Sequence, residues 1–137
     1  MSETIVLKKF SDIPSFLRRI DFVCKELNFS AFETANLKLA ASEVSTNIIK
    51  YAKDGEARIH SDPNEFSVRI RFRDSGPGIK FIDLALLDGY TTFSGPSLGL
   101  GLGAAKRSVD ILSIKNEAEG GLIVEITKRA RKLIPRE

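Results

Sequence analysis

The sequence predicts an α/β (α+β) domain, a two-layer sandwich with helices packed on one face of a mixed, mostly antiparallel sheet. Three observations predict it. Residues 66–74 alternate, with Phe66, Val68, Ile70 and Phe72 on one face and Ser67, Arg69, Arg71 and Arg73 on the other, the pattern of a strand covered on one side. Before it lie two stretches with apolar residues at the 3.6-residue spacing of amphipathic helices. After it, strand-like runs at 111–116 and 122–128 flank a Gly120-Gly121 turn signal.

In chain order, residues 4–10 read as a first strand. Asp12 then caps a helix with Ile13, Phe16, Leu17, Ile20, Cys24 and Leu27 on one stripe. Ser30-Ala-Phe-Glu33 has the form of a capping box and starts a second helix running to about Ala52, with Leu37, Ala41, Val44 and Ile48 buried. Gly55 ends that segment. Strands at 57–61 and 66–74 follow, joined by Asp62-Pro-Asn64. Residues 79–98 hold one short helical piece near 81–87 and then a run of turn formers and hydroxyls, long enough beside binding motifs to be expected as a lid. A third main helix is expected at 100–109.

Composition fits one domain over residues 1–137. Cys24 is the sole cysteine, so no internal disulfide forms. Its place on the helix stripe predicts a buried, inert thiol. With no apolar run of signal-peptide or membrane-span length, a cytoplasmic protein with no membrane association is expected. The net charge of +3 is concentrated in a short basic tail, residues 128–137, with five cations and one acid. The remaining 127 residues carry 16 basic and 17 acidic groups. That balance argues against a nucleic-acid partner, and the tail is either a solvated terminus or an electrostatic docking arm.

Three blocks carry the chemistry. Glu43 and Asn47 are four apart on the second helix, about 6 Å from each other on one face at the edge of the core. Asp74 follows Phe72 onto the apolar face of its strand, where a carboxylate is costly unless hydrogen-bonded. A ligand amino group would satisfy it; so would amides of the following residues 76–78. The run Gly99-Leu100-Gly101-Leu102-Gly103 leads into a helix, a good anion site through free amides and the helix dipole, or else a hinge with no ligand. A dinucleotide fingerprint fails because a loop with Pro96 precedes the run. A Walker loop fails because no Gly-Lys pair exists. Lone His60 has no activating nucleophile nearby, and zinc ligands are lacking. Arg69, Arg71 and Arg73 form either a solvated sheet face or a partner or dimer face.

In this order the blocks resemble those of the GHKL (Bergerat-fold) ATPase and kinase superfamily. Residues 42–52, Ser-Glu-Val-Ser-Thr-Asn-Ile-Ile-Lys-Tyr-Ala, resemble its N motif. Residues 74–78 and 98–103 resemble its two glycine motifs. Asp88-Gly-Tyr-Thr-Thr92 and residues 105–110 further resemble RsbT-type switch kinases of the stressosome in bacterial partner-switching systems. The resemblance implies ATP and Mg2+ as cofactors. It implies Asn47 as magnesium ligand, Glu43 as general base toward an acceptor hydroxyl, and Asp74 as reader of the adenine. Gly76 and Gly78 would flank the base, and Gly99 to Gly103, with Leu100 and Leu102 between, would form the phosphate lid. It also implies a serine/threonine kinase whose substrate is a STAS-domain antagonist protein, with a PP2C-type phosphatase as a second partner. Rival readings are a sigma-factor-binding kinase and a non-catalytic nucleotide-gated module. One departure stands out: Gly121 is followed by Leu122 where the family usually has threonine, which puts one polar contact to the adenine side in question.

Overall fold

Period-two patterning and two hairpin turns build a sheet whose covered face is defined residue by residue. The structure is a computed structural model that describes residues 2–51, 54–75, 96–116 and 121–131. Its strands are β1 (Ser2–Leu7), β2 (Gly55–Asp62), β3 (Ser67–Asp74), β4 (Ile111–Asn116) and β5 (Leu122–Arg129), in the spatial order β1-β2-β3-β5-β4. The expected mixed, mostly antiparallel sheet is antiparallel in every described pairing. Hairpin connections fix this for β2–β3 and β4–β5. The β2–β3 turn is held by Asp62, whose Oδ1 accepts from the amides of Asn64 and Glu65 at 3.0 and 3.3 Å. Phe66, expected in the strand, sits in that turn at φ +51°, so the apolar row begins at Val68.

Helices α1 (Ile13–Glu26), α2 (Ala31–Tyr51) and α3 (Pro96–Ser108) lie on one side of the sheet. Phe16, Ile20, Leu37, Val44 and Leu102 meet Ile59, Ile70, Phe72, Val124 and Ile126 in one buried core. The rings of Phe16 and Phe72 pack edge to face, 5.8 Å between centroids. The capping box forms as expected. Ser30 donates its amide to Glu33 Oε1 at 2.8 Å, and the Glu33 amide donates to Ser30 Oγ at 3.0 Å.

Two local expectations change. β1 ends at Leu7, and Asp12 does not cap α1 through its side chain. Its carboxylate turns back to accept from the amides of Lys8 and Lys9 at 2.9 and 3.1 Å, which closes a one-turn 3-10 segment and holds its carboxyl below the usual range. Cys24 is fully buried, and burial pushes its thiol up to about 12 against a weaker hydrogen bond with Thr34. The inert-thiol expectation holds.

Candidate functional site

α2 supplies the first part of the site. Its buried stripe, Leu37, Ala41, Val44 and Ile48, packs into the core as the periodicity predicts, and this rotates Glu43 and Asn47 to the boundary. Glu43 is half-buried and, among the described residues, makes no hydrogen bond or ion pair. Asn47 is only 7% exposed, and its Nδ2 is buried without a partner. A primary amide left this way costs about 1–3 kcal/mol. A half-turn of the side chain exchanges its oxygen and nitrogen, so either end can be offered to a ligand. Ser45 Oγ is also buried and unpartnered, but two residues along a helix is about 200° of rotation, so it points elsewhere.

β3 supplies the second part. Strand parity carries Asp74 to the covered face, where it is 5% exposed. Across the ladder its register partner is Leu122, buried at the start of β5. Gly121 precedes it at φ +106°, a conformation that side chains with a Cβ rarely adopt. A Cβ at position 121 would collide with the Asp74 carbonyl oxygen. A turn glycine and a contact glycine look alike in sequence, so the close approach of Gly121 to the Asp74 backbone is not legible there.

The third part differs from expectation. α3 begins at Pro96 rather than near residue 100, so Gly99, Gly101 and Gly103 lie within the helix instead of before it. A proline suits a helix's first turn, and burial of Leu102, Gly103 and Ala105 at the face that packs on α2 offsets the poor propensity of three glycines. The expected anion site at a free helix start is therefore not formed at Gly99–Gly103 in this structure. Gly76, Gly78, the helical piece near 81–87 and the expected lid up to residue 95 lie outside the described residues.

Asn47 on α2 and Asp74 on β3 are two of four buried polar residues among those described, with Ser45 and Ser108, and Glu43 stands half-buried one turn before Asn47. No described helix is long and apolar enough to cross a membrane.

Comparison with known proteins gives a coherent set of relatives. The chain is 35% identical over 111 residues to the serine/threonine-protein kinase RsbT of Bacillus subtilis, covering 80% of this chain and 82% of that protein. It is 32% identical over 124 residues to the anti-sigma F factor of Clostridium beijerinckii, covering 85% and 80%. Among solved structures, the RsbU and RsbW domains of a Mycobacterium tuberculosis protein match with a TM-score of 0.66 at 17% identity. That match covers 95% of this chain and 32% of the other, so the chain spans about a third of it. The mycobacterial sensor histidine kinase MprB matches with a TM-score of 0.58 at 21% identity, covering 73% and 74%. These two likenesses bear on the fold. A family model of histidine kinase-, DNA gyrase B- and HSP90-like ATPases matches residues 33–132, and the chain belongs to that ATP-binding family.

Proposed function

We propose that the chain is an ATP-dependent protein serine/threonine kinase of a partner-switching module, acting on a serine or threonine of a STAS-domain antagonist protein. The observation that carries the catalytic part is the pair on α2: an unpaired, half-buried carboxylate one turn from a buried amide without a partner. A glutamate held only for structure would bond a lysine or an amide, and Glu43 bonds neither among the described residues. The likenesses to a serine/threonine-protein kinase and to an anti-sigma factor support the same reading.

Glu43 accepts the proton of the acceptor hydroxyl as its oxygen bonds to the γ-phosphorus of ATP. The bond from that phosphorus to the bridging oxygen breaks, and ADP leaves. Positioning and charge neutralisation carry most of such a transfer. Asn47 offers its amide oxygen to magnesium, a cation that retains water and binds through few protein ligands; when bound, it neutralises phosphate charge. Asp74 accepts from the adenine amino group. The orphaned Asn47 amide fits such a ligand, since it is buried without a partner, and the Asp74 carboxylate lies buried on the covered face of β3. Leu39, 46% exposed and one turn before Glu43 on the same face, gives a protein substrate an apolar contact beside the base. A PP2C-type phosphatase is the second partner in this reading, and the cytoplasm its setting. A sigma factor as the bound partner is the alternative, favoured by the likeness to the anti-sigma F factor.

Calorimetry of ATP binding tests the site. Asn47→Ala should abolish the gain in affinity that magnesium gives the wild type, and Asp74→Asn should weaken binding of ATP with or without the metal. Wild-type affinities and metal dependence in both variants would remove these residues from the site.

A further inference from the structure

The face of the sheet turned away from the helices is organised as three cross-strand rows. One runs Val6–Glu56–Arg73–Ile123–Lys115, the next Thr4–Arg58–Arg71–Glu125–Ser113, and the third Ser2–His60–Arg69–Thr127–Ile111. Five lysines and arginines on these rows face two carboxylates. Arg58 and Arg71 are register partners on β2 and β3, a like-charge pairing that destabilises an antiparallel ladder. Relief is partial. Glu125 Oε2 accepts from Arg71 Nε at 3.2 Å and lies 3.8 Å from Arg69 Nε, so one carboxylate serves two guanidiniums. Arg58 Nε donates to the neutral Thr4 Oγ1 at 3.3 Å and has no carboxylate partner among the described residues. Arg58, Arg69, Arg71 and Glu125, with Ser2 and His60, line a shallow cleft of about 390 Å³.

We propose that this open face is a docking surface for an acidic segment of a partner protein. Charge complementarity sets the sign, because a carboxylate-rich segment supplies the counter-charge that Arg58 lacks and that Glu125 must divide. Apolar side chains set the class. Val6 and Ile111, 55% and 60% exposed, stand at opposite corners of the rows, and half-buried Ile123 shares a row with Val6. Arginines among apolar side chains are the composition of protein interfaces. A single-stranded nucleic acid would look for stacking platforms, and the rows carry no Phe, Tyr or Trp. A second copy of the chain would bring the same positive face and be repelled. Since α2 and Asp74 lie on the other side of the sheet, a partner here can bind together with nucleotide and substrate. The inference does not rest on the kinase reading, and its test uses neither ATP nor activity.

The probe is a short synthetic peptide of glutamates interrupted by leucines, titrated into the isotopically labelled full chain and followed by NMR. Saturable shifts should concentrate on β2, β3 and β5 around Arg58, Arg69 and Arg71. The same peptide with glutamine for glutamate should bind at least about tenfold more weakly, as should the wild-type peptide to an Arg58→Gln/Arg71→Gln double variant. That variant loses a like-charge pair, so it should melt no lower than wild type. Shifts confined to the basic tail, equal binding of the glutamine peptide, undiminished binding by the double variant, or tighter binding of an oligothymidine of equal charge would each overturn the proposal.

Discussion

Asp74 and Leu122 are register partners at the edge of β3 and β5, and both are buried. A carboxylate thus has an apolar neighbour across the ladder. Leu122→Thr should tighten ATP binding about 2–10-fold, the equivalent of one net hydrogen bond of about 0.5–1.5 kcal/mol. It should also lower the melting temperature, because a buried leucine is shortened. Calorimetry and thermal melting measure both; an unchanged or weaker ATP affinity would mean that position 122 does not reach the adenine side.

The glycine run of α3 separates a helix from a ligand site. Alanine is better than glycine inside a helix by about 0.8–1.0 kcal/mol, so Gly101→Ala should raise stability if the run is only helical. If the run must rearrange to lie against phosphates, the same change should cost ATP affinity on the order of tenfold, near 1.4 kcal/mol. The expected outcome is a higher melting temperature with weaker ATP binding. A variant that gains stability and binds ATP as wild type would leave the glycines without a ligand role.

The parts of this fold that were legible in the sequence are those with a local period. Alternation through β3 placed Asp74 on the covered face, and the 3.6-residue stripe of α2 placed Glu43 and Asn47 at its border, as observed. The parts that were not depend on distant partners. Nothing near Asp12 signals that its carboxylate serves Lys8 and Lys9 rather than α1. The insertion of β5 between β3 and β4 is a long-range pairing that no local pattern encodes. The early start of α3 follows from packing on α2, which outweighs the propensity that suggested a later one.

Glu33 ties the start of α2 to the end of β5. Its Oε2 accepts from the Arg131 amide at 2.7 Å while Oε1 completes the capping box. Burial raises its pKa, but the Ser30 and Arg131 amides outweigh that, and its carboxyl is held below the ordinary 4.5. A depressed folded-state pKa means stability that is fully present above the unfolded value and lost as pH falls through the folded one. Wild type should therefore lose part of its stability below pH 4.5, and Glu33→Gln should be less stable at neutral pH by about 0.5–1 kcal/mol, with a smaller acid-induced loss. Urea melts at neutral and acid pH measure this. Equal stability of the two proteins at neutral pH would show that the carboxylate makes no net contribution there.

Transfer of labelled γ-phosphate to a STAS-domain partner, compared between wild type and Glu43→Gln under single-turnover conditions, tests the kinase reading most directly. Glutamine retains the size and hydrogen-bonding reach of glutamate but cannot take a proton. ATP affinity and melting temperature should stay at wild-type values while the transfer rate falls by ~10²-fold or more. A Glu43→Gln protein that melts like wild type, binds ATP like wild type and phosphorylates the partner at the wild-type rate would contradict the assignment of Glu43 as the base.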